Sequence, residues 1–161
     1  MYRITKCLSV GTYPRPEDAA RLRAAGITHV LNVSDRPSAV STDDGFADVV
    51  FVPMSDSLEL SRETTVQALD ALHGLASAPG AHVYVHCLMG QFRSPTILWL
   101  YLIALGLPED GARDLITRRA PNAAPGHPAM VTHKHVQHAR EHGRAQYVRH
   151  PRAETIVSED A

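Results

Sequence analysis

The sequence predicts an α/β domain with a central, mostly parallel sheet of four to five strands flanked by helices. Three observations predict it. Short β-branched runs, at 27–33, 49–52 and 82–86, recur along the chain. Segments with helical spacing lie between and after them, the alternation expected of parallel sheets. No internal repeat or linker divides the 161 residues, a length that suits one domain.

Each element has a local reason. Ile4 to Val10 alternates apolar residues and ends at Gly11, which reads as a first strand and turn. Pro16 to Ala25 starts with proline, carries Glu17 and Asp18 in its first turn and stops at Gly26, a short helix. Ile27 to Val33 is a buried strand by composition. Ser34 to Gly45 is a polar loop, and Val49 to Val52 is a second buried strand that Pro53 ends. Val66, Leu69, Leu72 and Leu75 share one side of a helix from an N-cap at Ser61 to Ala76. Pro79-Gly80 turns the chain into a strand at His82 to His86. Pro95 opens an apolar helix to Leu105, as its first residue, and Gly106 closes it. Pro108 to Arg119 and Ala129 to Gly143 read as further helices around a Pro- and Ala-rich loop at 121–128. The expected domain is 1–143, with 144–161 a polar, frayed C-terminal tail.

Composition narrows the function. Sixteen Lys and Arg face seventeen Asp and Glu, for a net charge of -1, which argues against a strongly basic nucleic-acid or membrane binder. No signal peptide is visible, and the longest apolar stretch, Ile97 to Leu105, is about half of a membrane span. Two cysteines, Cys7 and Cys87, cannot form a disulfide framework, so a reducing, cytoplasmic setting is the default.

The chemistry concentrates between the strand at 82–86 and the helix opened by Pro95, in His86-Cys87-Leu88-Met89-Gly90-Gln91-Phe92-Arg93-Ser94. A helix N-terminus after a strand is an anion site, because its first N–H groups lack partners and the dipole favours negative charge. Gly90 permits the tight backbone of a phosphate cradle formed by Leu88 to Phe92. Arg93 can fork onto two phosphate oxygens. Positive surroundings of this kind favour the thiolate form of a cysteine. Cys87 is therefore the candidate nucleophile for attack on a phosphoryl group, giving a phosphocysteine intermediate. The Ser94 hydroxyl can donate to the sulfur as it leaves, and His86 can brace the loop. No metal or organic cofactor is implied.

These residues resemble the His-Cys-x5-Arg-Ser/Thr signature of the cysteine-dependent protein tyrosine phosphatases. The resemblance extends to their dual-specificity members through Ile27–Val33, Val52-Pro53-Met54-Ser55-Asp56 and Pro121-Asn122, and runs from about Ile4 to about His138. It implies the cysteine phosphatase fold. It also implies an Asp56 general acid, 31 residues before Cys87, that protonates the leaving oxygen and then activates water. Asp35, Asp43, Asp44 and Asp48 are weaker candidates for that role by position. Met89 and Phe92 depart from the smaller residues more common in the family, and the loop has no lysine, which disfavours an inositol phosphate.

The implied substrate is a phosphorylated protein, first on phosphotyrosine and then on phosphoserine or phosphothreonine, or a small phosphomonoester. Alternatives are a phosphate-binding module without turnover, a phosphatase of phosphoinositides, nucleotides or RNA 5′ ends, and a rhodanese-type sulfurtransferase, against which Gly90 and the Ser94-Pro95-Thr96 helix start argue. Plainer readings stand beside the sharper ones. Cys7 is a small buried residue on the first strand, or a protective disulfide partner for Cys87. His127, His133, His135, His138 and His142 are packing or solvated residues, or a metal site. Arg113, Arg118 and Arg119 end a solvated helix, or form a basic patch for acidic substrates.

Overall fold

A computed structural model describes residues 1–55 and 58–159. Five strands form one sheet: β1 (Tyr2–Arg3), β2 (Leu8–Gly11), β3 (His29–Asn32), β4 (Asp48–Phe51) and β5 (Val83–His86), in the order β1-β2-β5-β3-β4. Only β1 runs antiparallel. The helices are α1 (Ala19–Ala24), α2 (Arg62–Ser77), α3 (Arg93–Ala104), α4 (Glu109–Arg119), α5 (His133–Gln146) and α6 (Ala153–Val157). The expected mostly parallel α/β sheet is present.

Strand alternation separates two apolar layers. Leu31, Val83 and Val85 face a large core with α2 and α3, whereas Val30 and Tyr84 face a smaller one with Leu22 of α1, Val40 and Phe46. All twelve residues of α3 are buried, so α3 is the central helix of the large layer.

Several expected boundaries move, each for a physical reason. The first strand is a hairpin: Ile4 and Thr5 both donate to the Leu8 carbonyl, and Cys7 N–H donates to Thr5 Oγ1, leaving Cys7 in the turn. The segment after Val49 is not a buried strand. β4 is the sheet edge, with Val49, Val50 and Phe51 half-buried and only Val52 enclosed. Pro95 is the third residue of α3, not the first, which is free of cost because the first four N–H groups of a helix have no helical acceptor.

Gly143 does not stop α5. It lies inside that helix, where any side chain would collide with the Ala104 backbone of α3. The chain after it is not frayed either. Tyr147 and Ile156 are buried, the Tyr147 ring stacks on His73 at 4.2 Å, and Tyr147 Oη donates to Asp70. Lys6 N–H donates to the Ser158 carbonyl at 3.0 Å. Among the described residues no helix is long and apolar enough to cross a membrane.

Candidate active site

β5 is the middle strand of the five-stranded sheet, and the chain leaving its C-terminal end turns through a short loop into α3. Open α/β sheets place ligand sites outside the carboxyl ends of their strands, where neighbouring connections diverge. Cys87 sits there, at the foot of a concavity of ≈ 120 Å³ lined by Cys87, Leu88, Met89, Gln91, Phe92 and Arg93. Cys87 is 2% exposed, and Ser94 Oγ donates to Cys87 Sγ over 3.3 Å.

Three carbonyls of the loop are tied outward. Cys87 O accepts from His86 Nδ1 at 3.2 Å, Leu88 O from Tyr13 N–H at 3.0 Å, and Gln91 O from Ala124 N–H at 2.7 Å. In a trans peptide the N–H points opposite to the C=O. The N–H groups of Leu88, Met89 and Phe92 therefore turn away from the bracing segments, as a backbone anion cradle requires. Gly90 reverses the chain at φ 66°, and its Cα packs so closely on Gly11 that a Cβ would meet the Gly11 carbonyl carbon at 2.7 Å. Gly11 is confined in turn by the Tyr84 hydroxyl, which donates to Thr12 O at 2.6 Å.

Arg93 is buried at the first position of α3. Its Nη1 donates to Asp35 Oδ1 and to Met54 O, both at 3.1 Å. The guanidinium hydrogen bond holds the Asp35 carboxyl below the usual carboxylate range. Asp35 is thus a counter-ion for Arg93. Asn32 and Ser34 clamp its turn: Asn32 Nδ2 donates to Arg36 O at 2.7 Å and Ser38 Oγ at 3.1 Å, while its Oδ1 accepts from Ser34 N and Oγ. An Asn-x-Ser after a strand is a recognisable turn signal, yet nothing in the sequence says that the turn delivers a carboxylate to Arg93. Asp56 lies outside the described residues. Met54, two residues before it, is the point at which that segment reaches Arg93.

His86 is buried between Tyr84 and Tyr13, at ring distances of 5.7 and 5.3 Å, and its Nε2 has no hydrogen-bond partner among the described residues. Burial lowers its pKa to about 4, so the ring is neutral, with the proton on the Nδ1 that donates to Cys87 O.

Other candidates fall elsewhere. Cys7 O accepts from Val83 N–H at the far end of β5, four residues and so roughly 13 Å along the strand from Cys87. A disulfide needs Cα atoms within about 7 Å, so the two thiols do not pair. His135 ties Leu60 O through Nε2 at 2.6 Å, and His142 reaches Asp70 at 2.7 Å. No three His, Cys, Asp or Glu residues gather as a metal site among the described residues. Arg118 and Arg119 pair with Glu159, and Arg113 lies over Trp99 at 4.6 Å, so the basic patch is spent on packing.

The site thus joins a mostly parallel α/β sheet to a cysteine at a strand-to-helix turn, backed by arginine and serine at the helix start. A family model described as "Swiss Army Knife protein, DSP-PTPase phosphatase domain" matches residues 4–157, and the chain belongs to this family of dual-specificity-type phosphatase domains. Among curated proteins it is 32% identical over 100 residues to dual specificity protein phosphatase 26 of Rattus norvegicus, covering 60% of this chain and 47% of that protein. It is 28% identical over 106 residues to the phosphatidylglycerophosphate phosphatase PTPMT1 of Arabidopsis thaliana, covering 63% and 31%. The matches thus span less than half the length of these relatives. Among solved structures, human DUSP28 aligns at a TM-score of 0.73 with 25% identity, covering 91% of this chain and 99% of that one. PTPMT1 in complex with PI(5)P aligns at 0.70 with 18% identity, covering 89% and 94%, which shows the shared fold.

Proposed function

We propose that the chain hydrolyses phosphomonoesters through a phosphocysteine intermediate, with phosphotyrosine in proteins as the first substrate class and phosphoserine or phosphothreonine as the second. The observation that carries this is the outward tethering of three loop carbonyls around Cys87, which leaves a set of N–H donors for an oxyanion. Family membership supports the same reading.

In the first step the Cys87 thiolate attacks phosphorus. The P–O ester bond breaks, and the leaving oxygen takes a proton from Asp56, a role that rests on the sequence resemblance. The loop amides and Arg93 stabilise the equatorial oxygens. In the second step Asp56 takes a proton from water, whose oxygen attacks phosphorus as the S–P bond breaks. Ser94 then donates to the departing sulfur, for which its 3.3 Å contact is suited. No atom changes oxidation state in either step, so the sequence needs no redox partner.

A phosphate-release panel of phosphotyrosine, phosphoserine and phosphothreonine peptides, phosphoinositides and nucleotides tests this, with Cys87→Ser as the control. Release from phosphopeptides that vanishes in Cys87→Ser is the expected result. Inactivity of the wild type across pH 5–8 overturns it. Phosphoinositides are the second reading, because the aligned PTPMT1 structure holds PI(5)P.

A further inference from the structure

We infer that Phe92 and His127 form an aromatic wall that selects aryl phosphates, such as phosphotyrosine, over alkyl phosphates. This rests on the phosphatase reading above and assigns its selectivity to two residues outside the reacting groups. Phe92 lines the same concavity as Cys87, and its outer side meets the His127 imidazole edge-to-face at 5.2 Å. The ring is half-buried against the core, so it stays beside the cradle as a fixed surface and does not swing into solvent.

The segment carrying His127 is fastened to the cradle at several points. Ala124 N–H donates to Gln91 O at 2.7 Å, and Gly126 N–H donates to Thr96 Oγ1 at 3.1 Å. Arg113 Nη1 donates to Pro125 O while its guanidinium lies over Trp99. Gly126 turns at φ 75°, where a Cβ would strike the Trp99 ring at 2.9 Å. The imidazole is itself oriented, because Nδ1 accepts from Ala129 N–H at 3.1 Å. His127 thus backs the Phe92 ring, and it is Phe92 that lines the concavity.

The chemistry follows from the surfaces. A phenyl leaving group emerging from the cradle meets an aromatic flank, and ring pairs prefer edge-to-face or offset contact. An alkyl phosphate presents a thin, hydrated chain that gains little there. The wall is preorganised, so the contact needs no ordering of mobile side chains.

Two readouts separate this proposal from the phosphatase reading. The first is the ratio of kcat/KM for phenyl phosphate to that for glycerol phosphate. The second, independent of turnover, is the affinity ratio of benzylphosphonate to ethylphosphonate by calorimetry. The wild type is expected to favour the aryl compound about tenfold in affinity and by at least that factor in kcat/KM. Phe92→Ser brings the affinity ratio toward one and lowers the kcat/KM ratio by a similar factor, leaving the part due to phenol's better leaving ability, and His127→Ala, a surface change that spares folding, lowers both roughly threefold, the scale of an aromatic pair. Equal losses for aryl and alkyl compounds, or unchanged ratios in His127→Ala, overturn the wall. A wild type that turns over neither ester yet prefers benzylphosphonate overturns the phosphatase reading and supports the wall.

Discussion

The Ser94 hydroxyl donates to the Cys87 sulfur over 3.3 Å, from the second residue of the helix that the phosphate loop feeds. A donor at that point stabilises negative charge on sulfur, which matters most when sulfur leaves phosphorus. Hydrogen bonds to charged groups contribute ~1.5–3 kcal/mol, so Ser94→Ala should slow breakdown of the intermediate roughly ten- to a hundredfold. Rapid-mixing kinetics with p-nitrophenyl phosphate should then show a stoichiometric burst of p-nitrophenol before slow turnover. Slow turnover without a burst would place the defect in the first step instead.

Asp56→Asn should lower turnover by roughly 10²–10⁴-fold, the usual contribution of a positioned general acid. Phosphate binding should persist. Inhibition by inorganic phosphate measures binding, and an unchanged rate removes Asp56 from the mechanism.

Asp35 sets a separate expectation, because its carboxylate lies 3.1 Å from the Arg93 guanidinium that phosphate must share. Asp35→Asn removes a negative charge beside the anion site and also loosens Arg93. Inorganic phosphate should bind more tightly while kcat falls several-fold. A drop in both affinity and kcat would mean that Asp35 serves only to hold the loop together.

Gly90 and Gly74 should respond oppositely to alanine. At Gly90 a methyl group meets the Gly11 backbone and the left-handed φ adds strain, so Gly90→Ala should lose about 1–3 kcal/mol of stability and weaken phosphate binding. Gly74 lies inside α2 with open space around it, so Gly74→Ala should gain about 0.5–1 kcal/mol. Thermal melts of the two variants with and without phosphate provide the check.

Acid should weaken the fold through His86. Its folded pKa of about 4 lies below the ordinary 6.5, so the unfolded chain binds this proton more readily. The resulting stabilisation is complete above pH 6.5 and is lost as pH falls toward about 4, on the order of 3 kcal/mol in all. The stability difference between wild type and His86→Gln should narrow across that window. A constant difference would show that His86 titrates normally.

Much of this was legible in the sequence because the decisive signals are local. Cys87, Gly90, Arg93 and Ser94 sit within one short segment, and β-branched runs marked β3 and β5. What stayed hidden depends on distant partners. Asp35 becomes a counter-ion only because Asn32 clamps a turn across from α3. Gly143 resembled a helix stop, yet it is the close crossing of α5 and α3. The residues after it looked too polar to pack, because Tyr147 and Ile156 are separated by charged neighbours and the partners of Tyr147, His73 and Asp70, come from α2. Composition averages over such anchors. Ile156→Ala should accordingly cost about 2–5 kcal/mol, as in other cores, and a melt that matches wild type would restore the frayed-tail expectation.

The contact between Gly11 and Gly90 joins segments 79 positions apart in the chain. The cradle has no wall on that side until β2 has docked beside β5, so an isolated 82–105 peptide lacks the closed site. If the loop binds an oxyanion as proposed, anion capture and assembly of the whole sheet are thermodynamically linked: each tenfold rise in free oxyanion concentration above the dissociation constant adds about 1.4 kcal/mol to global stability. On the proposed function, an oxyanion that fits the loop is a folding ligand as well as a substrate or product.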